Sequence, residues 1–124
     1  MALLEGTVAF ESLTRTEEYE GQDTGRYTIT LTLDDEIAEA LSEQGVKLRS
    51  YEDTSQRKFA SKFPVKVVDA NDERFIGPLT RGSKVRLAYK MGDPHPVHGV
   101  PTYLNAVRVL ELADDDGAGI DEGF

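Results

Sequence analysis

The stretch RYTITLTL, residues 26–33, alternates without a break between apolar and hydroxyl side chains. A period of two is the pleat of a β-strand and cannot be satisfied by a helix. Tyr27, Ile29, Leu31 and Leu33 are therefore expected on an inner face, with Thr28, Thr30 and Thr32 outside. The same period recurs elsewhere. Residues 3–14 (LLEGTVAFESLT) predict a first strand with Leu4, Val8 and Phe10 inward, and with Gly6 marking a bulge or a close approach. Residues 57–69 (RKFASKFPVKVVD) predict a third strand interrupted at Pro64. Residues 84–91 (KVRLAYKM) and 102–112 (TYLNAVRVLEL) predict two more. One helical pattern intervenes, DDEIAEALSEQG. Asp34 is the N-cap, Asp35 and Glu36 suit the positive end of the helix dipole, Ile37 and Leu41 form a thin apolar stripe, and Gly45 marks the exit. Five principal strands and one short helix in 124 residues predict a mainly β fold, an OB-type five-stranded barrel over residues 1–112. The helix falls between the second and third strands, whereas OB folds usually place it between the third and fourth.

Residues 113–124, ADDDGAGIDEGF, cannot bury enough apolar surface to fold and are expected to be a disordered acidic tail. Charge is strongly partitioned along the chain. The formal net charge is −9, yet residues 47–90 carry eleven basic and five acidic side chains, while residues 1–46 carry two basic and eleven acidic. Such a basic middle between acidic ends suits an anionic ligand better than the total suggests.

Enzyme chemistry finds little support. There is no cysteine, which removes thiol nucleophiles and cysteine-based zinc sites. The two histidines, His95 and His98, sit in a Pro/Gly-rich loop, PHPVH, where their spacing is poorly organised for a metal. No phosphate-binding glycine motif opens the helix. No catalytic residue, metal or cofactor is expected. Neither a signal peptide nor a membrane span is visible, so the expected location is cytoplasmic.

The third and fourth strands instead present cations. Lys58, Lys62 and Lys66 recur every four residues opposite Phe59, Phe63, Val65 and Val67, and Lys84, Arg86 and Lys90 alternate with Val85, Leu87 and Tyr89. The loop before the third strand adds Arg49, Tyr51 and Arg57. Cations interleaved with aromatics suit single-stranded nucleic acid, because the cations follow phosphates while rings stack on bases without reading sequence. Tyr51 is the leading stacking residue. Phe59, Tyr89 and Tyr103 are secondary candidates that also suit a core. Lysines on strand edges also serve simply to keep sheets apart. Neutralisation of the basic stripes by Glu5, Glu11 or the helix acids would mark instead an acidic protein-interaction or virion component that binds no nucleic acid. An RNA-binding module is not separable from a DNA binder here.

The terminal ADDDGAGIDEGF, the preceding PTYLNAVRVLEL and the segment RGSKVRLAYKM together resemble the single-stranded DNA-binding proteins of tailed bacteriophages, of the podophage replication type. That resemblance implies an OB fold, sequence-nonspecific binding of single-stranded DNA in replication and recombination, and a homodimer whose contact is not transferable. It also implies that Asp114, Asp115, Asp116, Asp121, Glu122 and Phe124 compete for the DNA groove and recruit a polymerase or helicase-primase.

Overall fold

The computed structural model describes residues 2–51, 53–75 and 79–113. Along these residues run β1 Ala2–Ser12, β2 Glu18–Tyr19, β3 Gln22–Asp23, β4 Tyr27–Leu33, α1 Asp35–Glu43, β5 Arg49–Tyr51, β6 Thr54–Ser61, β7 Lys66–Val68, β8 Lys84–Met91 and β9 Thr102–Glu111. Seven of the strands form one sheet in the order β5-β6-β4-β1-β8-β9-β7, and β2 pairs only with β3.

The alternation in β4 holds for Ile29, Leu31 and Leu33, which are buried, and for Thr30 and Thr32, which are half-buried. Thr28, expected outside, is instead buried with its hydroxyl donating to Glu17 Oε2 at 3.4 Å, and Tyr27, expected inside, is half-buried. Ile29 lies opposite Phe59 of β6, and Val8 of β1 lies opposite Leu31. On the other side of β1, Leu4 meets Leu87, which in turn meets Val107 of β9. Phe59, Ile29, Leu31, Leu87, Val85 and Val107 are fully buried at the centre of this core. Each such side chain contributes about 1.5–3 kcal/mol, and truncating Leu87 to Ala would cost about 2–5 kcal/mol. Gly6 permits a close approach rather than a bulge: a Cβ there would stand 3.0 Å from both the Leu31 Cδ1 and the Thr32 carbonyl oxygen.

The bulge lies three residues further on. Val8 pairs with Leu31 but Phe10 pairs with Thr30, so Ala9 is the extra residue in β1. One inserted residue reverses the parity of everything after it. Phe10 consequently points outward, 61% exposed, and does not join Leu4 and Val8 in the core.

Helix α1 lies between β4 and β5 in the chain, buries Ala38 and Leu41, and is left through Gly45 at φ 92°. Asp34 occupies the N-cap by backbone geometry alone, its side chain making no capping bond. The anticipated third strand is two strands. β6 pairs antiparallel with β4, whereas β7, beyond Pro64, pairs parallel with β9.

This break bears on the largest correction. The expected five-stranded OB-type barrel does not close. The strands β6, β4, β1, β8 and β9 follow one another around a ring, but β6 and β9 meet at a single residue pair, Ala60 with Tyr103. A seam joined at one position is not a ladder. The reason is local: β6 ends at Ser61, and the edge of β9 that would continue the seam is occupied at Ala106–Arg108 by β7. The result is a strongly curved, mixed sheet with one short helix. Among the described residues, no helix is long and apolar enough to cross a membrane.

Candidate nucleic-acid interface

The incomplete seam opens a cleft of about 730 Å³ between the end of β6 and the start of β9. Its walls carry four cations, Arg26, Arg57, Lys58 and Lys62, and two aromatic rings, Phe63 and Tyr103. Both rings are unusually open for their type, Phe63 at 74% and Tyr103 at 52% exposure. Phe63 owes its position to the turn that ends β6. The Ser61 hydroxyl accepts from the Phe63 N–H at 3.1 Å and donates to the Phe63 carbonyl at 2.8 Å, which folds the chain away from the sheet. Pro64 then removes a ladder donor and disfavours a helical continuation at Phe63. Tyr103 is fixed by its neighbours in a row across the sheet, Ser12–Thr28–Ala60–Tyr103–Lys90.

Arg57 organises the floor. Its guanidinium donates to Thr102 Oγ1 at 3.0 Å, to the Lys47 carbonyl at 2.9 Å and to the Val100 carbonyl at 3.5 Å. These contacts tie β6 to the segment after α1 and to the approach to β9. Burial pulls its pKa below the ordinary arginine value, but an arginine stays charged in proteins. These three acceptors are all neutral oxygens, so they orient the charge without cancelling it. The Lys47 ammonium donates in turn to the Val97 carbonyl, closing the loop over this end. Lys58, half-exposed, is paired with Glu17 at 2.6 Å. A smaller depression of about 270 Å³ adjoins the cleft through Arg57 and Lys58 and brings Arg49 and Lys47 to its edge.

The residues anticipated from sequence thus divide. Arg49, Arg57, Lys58 and Lys62 converge on the cleft and its annex, and Lys90 borders it beside Tyr103. Lys66 and Arg86 face a separate hollow of about 240 Å³, where Arg86 is held by Glu5 at 2.7 Å. Lys84 stands at the far end of β8 opposite Glu111. The regular stripe of Lys58, Lys62 and Lys66 does not form, because the strand that would carry it stops at Ser61. Phe59 is fully buried with its ring edge-on to Tyr89 at 5.3 Å, leaving no face for a base. The side chain of Tyr51, and Asp114, Asp115, Asp116, Asp121, Glu122 and Phe124, lie outside the described residues.

Sequence reasoning missed Arg26 and assigned Phe63 to the core. The Phe-Pro step was the available signal for Phe63, since a proline rarely continues a central strand. Nothing in the sequence singled out Arg26. His95 and His98 stack at 4.7 Å, and His95 Nδ1 accepts from the Val97 and His98 N–H groups at 3.0 and 3.1 Å, an arrangement that builds the loop. Among the described residues, no group of three or more His, Cys, Asp or Glu could hold a metal ion.

No family model matches this chain, and no curated protein sequence does. Solved structures do. The single-stranded DNA-binding protein of bacteriophage Enc34, in a C-terminally truncated form, superposes with a TM-score of 0.63 at 11% identity, over 90% of this chain and 87% of that one. The same Enc34 protein in complex with single-stranded DNA gives 0.61 at 10% identity, over 90% and 88%. The single-stranded DNA-binding protein gp2.5 of bacteriophage T7 gives 0.58 at 15% identity, over 99% of both chains. At such identities the likeness establishes a shared fold.

Proposed function

We propose that this protein binds single-stranded DNA without sequence preference, with the β6–β9 cleft as the binding site, in phage DNA replication and recombination. One observation carries the reading: the seam leaves two exposed rings, Phe63 and Tyr103, among Arg26, Arg57, Lys58 and Lys62. Aromatic faces flanked by cations are the two components that nonspecific strand binding needs. The three similar structures, each of a phage protein that binds single-stranded DNA, support the same reading. The role is binding rather than catalysis. The acidic segment 113–124 competes with DNA for the cleft and recruits replication proteins such as a polymerase or helicase-primase. Arg49 and Lys90 extend the cationic track at either side, and Tyr51 is a further base-stacking residue.

The test is fluorescence anisotropy of labelled oligo-dT against salt, with the full chain and with a chain ending at Leu112. Single strands lose affinity with a slope of roughly −0.7 in log K per log salt for each phosphate neutralised, so four cations predict about −3. The shortened chain should bind more tightly. Equal affinities would remove the competition by the acidic segment, while leaving the cleft.

A second reading is favoured by two ion pairs, Lys58–Glu17 at 2.6 Å and Arg86–Glu5 at 2.7 Å. They fit an acidic protein-interaction or virion component whose surface cations are neutralised in place. Absence of binding by both chains would establish that reading over the first.

A further inference from the structure

The bulge at Ala9 has an outcome that the core does not explain. Continued alternation would bury Phe10 beside Leu4 and Val8. Instead β1 gives up a ladder position and turns the ring onto the open face of the sheet. Bulges that re-aim a side chain recur beside functional sites, and an exposed phenyl ring gains little from burial.

Phe10 also has a cationic companion. The guanidinium of Arg81 lies 5.6 Å from the ring centroid. The turn that carries Arg81 is tied to β1 immediately after it, by the Gly82 N–H to the Val8 carbonyl and by the Val8 N–H to the Ser83 carbonyl, each at 2.8 Å. Ring and cation are thereby held together by backbone rather than by side-chain chance. Among the described residues, Arg81 has no carboxylate partner.

The pair is also continuous with the cleft. Phe10 lies directly opposite Thr30, and Thr30 directly opposite Lys58, so the three share one face of the sheet. Two strand spacings put Phe10 roughly 10 Å from Lys58. A strand leaving the cleft past Lys58 would cross Thr30 and arrive at the ring.

We propose that Phe10 is a second base-stacking position for single-stranded DNA, with Arg81 meeting the adjacent phosphate, so that the bound strand crosses β6, β4 and β1 instead of ending at the seam. This rests on the single-stranded DNA reading of the cleft.

The chain contains no tryptophan, so Phe10→Trp installs a unique reporter at the ring. Titration with labelled oligo-dT should quench its emission in step with the rise in anisotropy. Phe10→Ala should weaken binding of oligo-dT by roughly 5- to 150-fold and leave binding of an abasic oligonucleotide of equal length unchanged. Arg81→Gln, which leaves the ring in place, should lower the salt slope by about 0.7. Binding with unquenched tryptophan emission, or an equal loss on both oligonucleotides, overturns the stacking role of Phe10 and leaves the cleft standing. Failure of the parent chain to bind at all overturns the cleft reading and this inference with it.

Discussion

Replacing Phe63 by Ala separates binding from stability more cleanly than any other change in the cleft. The ring is 74% exposed, so only about a quarter of it is sheltered by the protein. Full burial of a phenylalanine contributes about 1.5–3 kcal/mol, and a quarter of that is less than about 1 kcal/mol. The turn that positions residue 63 uses the Ser61 hydroxyl and the backbone of Phe63, neither of which the substitution removes. The fold should therefore melt within a few degrees of the parent. Loss of one stacked base costs about 1–3 kcal/mol, or roughly 5- to 150-fold in Kd. Anisotropy with oligo-dT beside a thermal melt reads both quantities. Tyr103→Ala should lose binding similarly but cost more stability, since nearly half its surface is covered. Parent-like affinity of Phe63→Ala with an unchanged melt would refute the reasoning, because the most exposed ring in the cleft would then stack on nothing.

Glu17→Gln should tighten DNA binding by up to about fivefold, since an exposed ion pair worth about 0.2–1 kcal/mol no longer has to be broken to free Lys58; weaker binding on salt titration would contradict the cleft. Arg57→Met should destabilise the fold by about 1–3 kcal/mol in urea unfolding, because the Lys47 and Val100 carbonyls and the Thr102 hydroxyl lose their donor; unchanged stability would show that the clamp carries no weight. Asp23 accepts from the Gly25 N–H at 2.7 Å and the Thr16 hydroxyl at 2.8 Å, which hold its carboxyl below the ordinary 3.8. With the folded pKa depressed, its stabilising effect is present above the ordinary value and lost as pH falls through the lower folded one. Amide protection in the β2–β3 hairpin should therefore drop in that acid window, and Asp23→Asn should abolish the pH dependence seen by hydrogen exchange.

What could be read in the sequence was what one strand decides by itself. The inward set Ile29, Leu31 and Leu33 of β4 and the position of α1 follow from local side-chain pattern, while the burial of Thr28 was set by Glu17 from another segment. What escaped was decided between strands. The bulge at Ala9 is a matter of register against β4, and no property of Ala9 announces it. The parity of Phe63 depended on whether β6 continued past Ser61, so a ring assigned to the core by counting in twos stands outside. The same interruption dissolved the lysine stripe, yet Lys58 and Lys62 still reach one cleft because the chain turns around it. Arg49 and Arg57 were recognisable from charge alone, while the role of Arg57 as a clamp depended on carbonyls ten and more residues away.

The net charge of −9 is a weaker obstacle to binding a polyanion than it looks. Charges separated by more than the Debye length of about 8–10 Å are largely screened in physiological salt, so a ligand responds mainly to what surrounds it. Around the cleft, the carboxylate that pairs with a lining cation among the described residues is Glu17, on Lys58. The seam supplies the other half of the argument. Extending the β6–β9 ladder beyond Ala60 and Tyr103 would draw Lys62 and Phe63 against the β9 edge near Asn105 and cover both rings. A closed ring and an open aromatic cleft are therefore alternatives for the same residues. Ser61, Pro64 and the seat of β7 on β9 commit this chain to the open one.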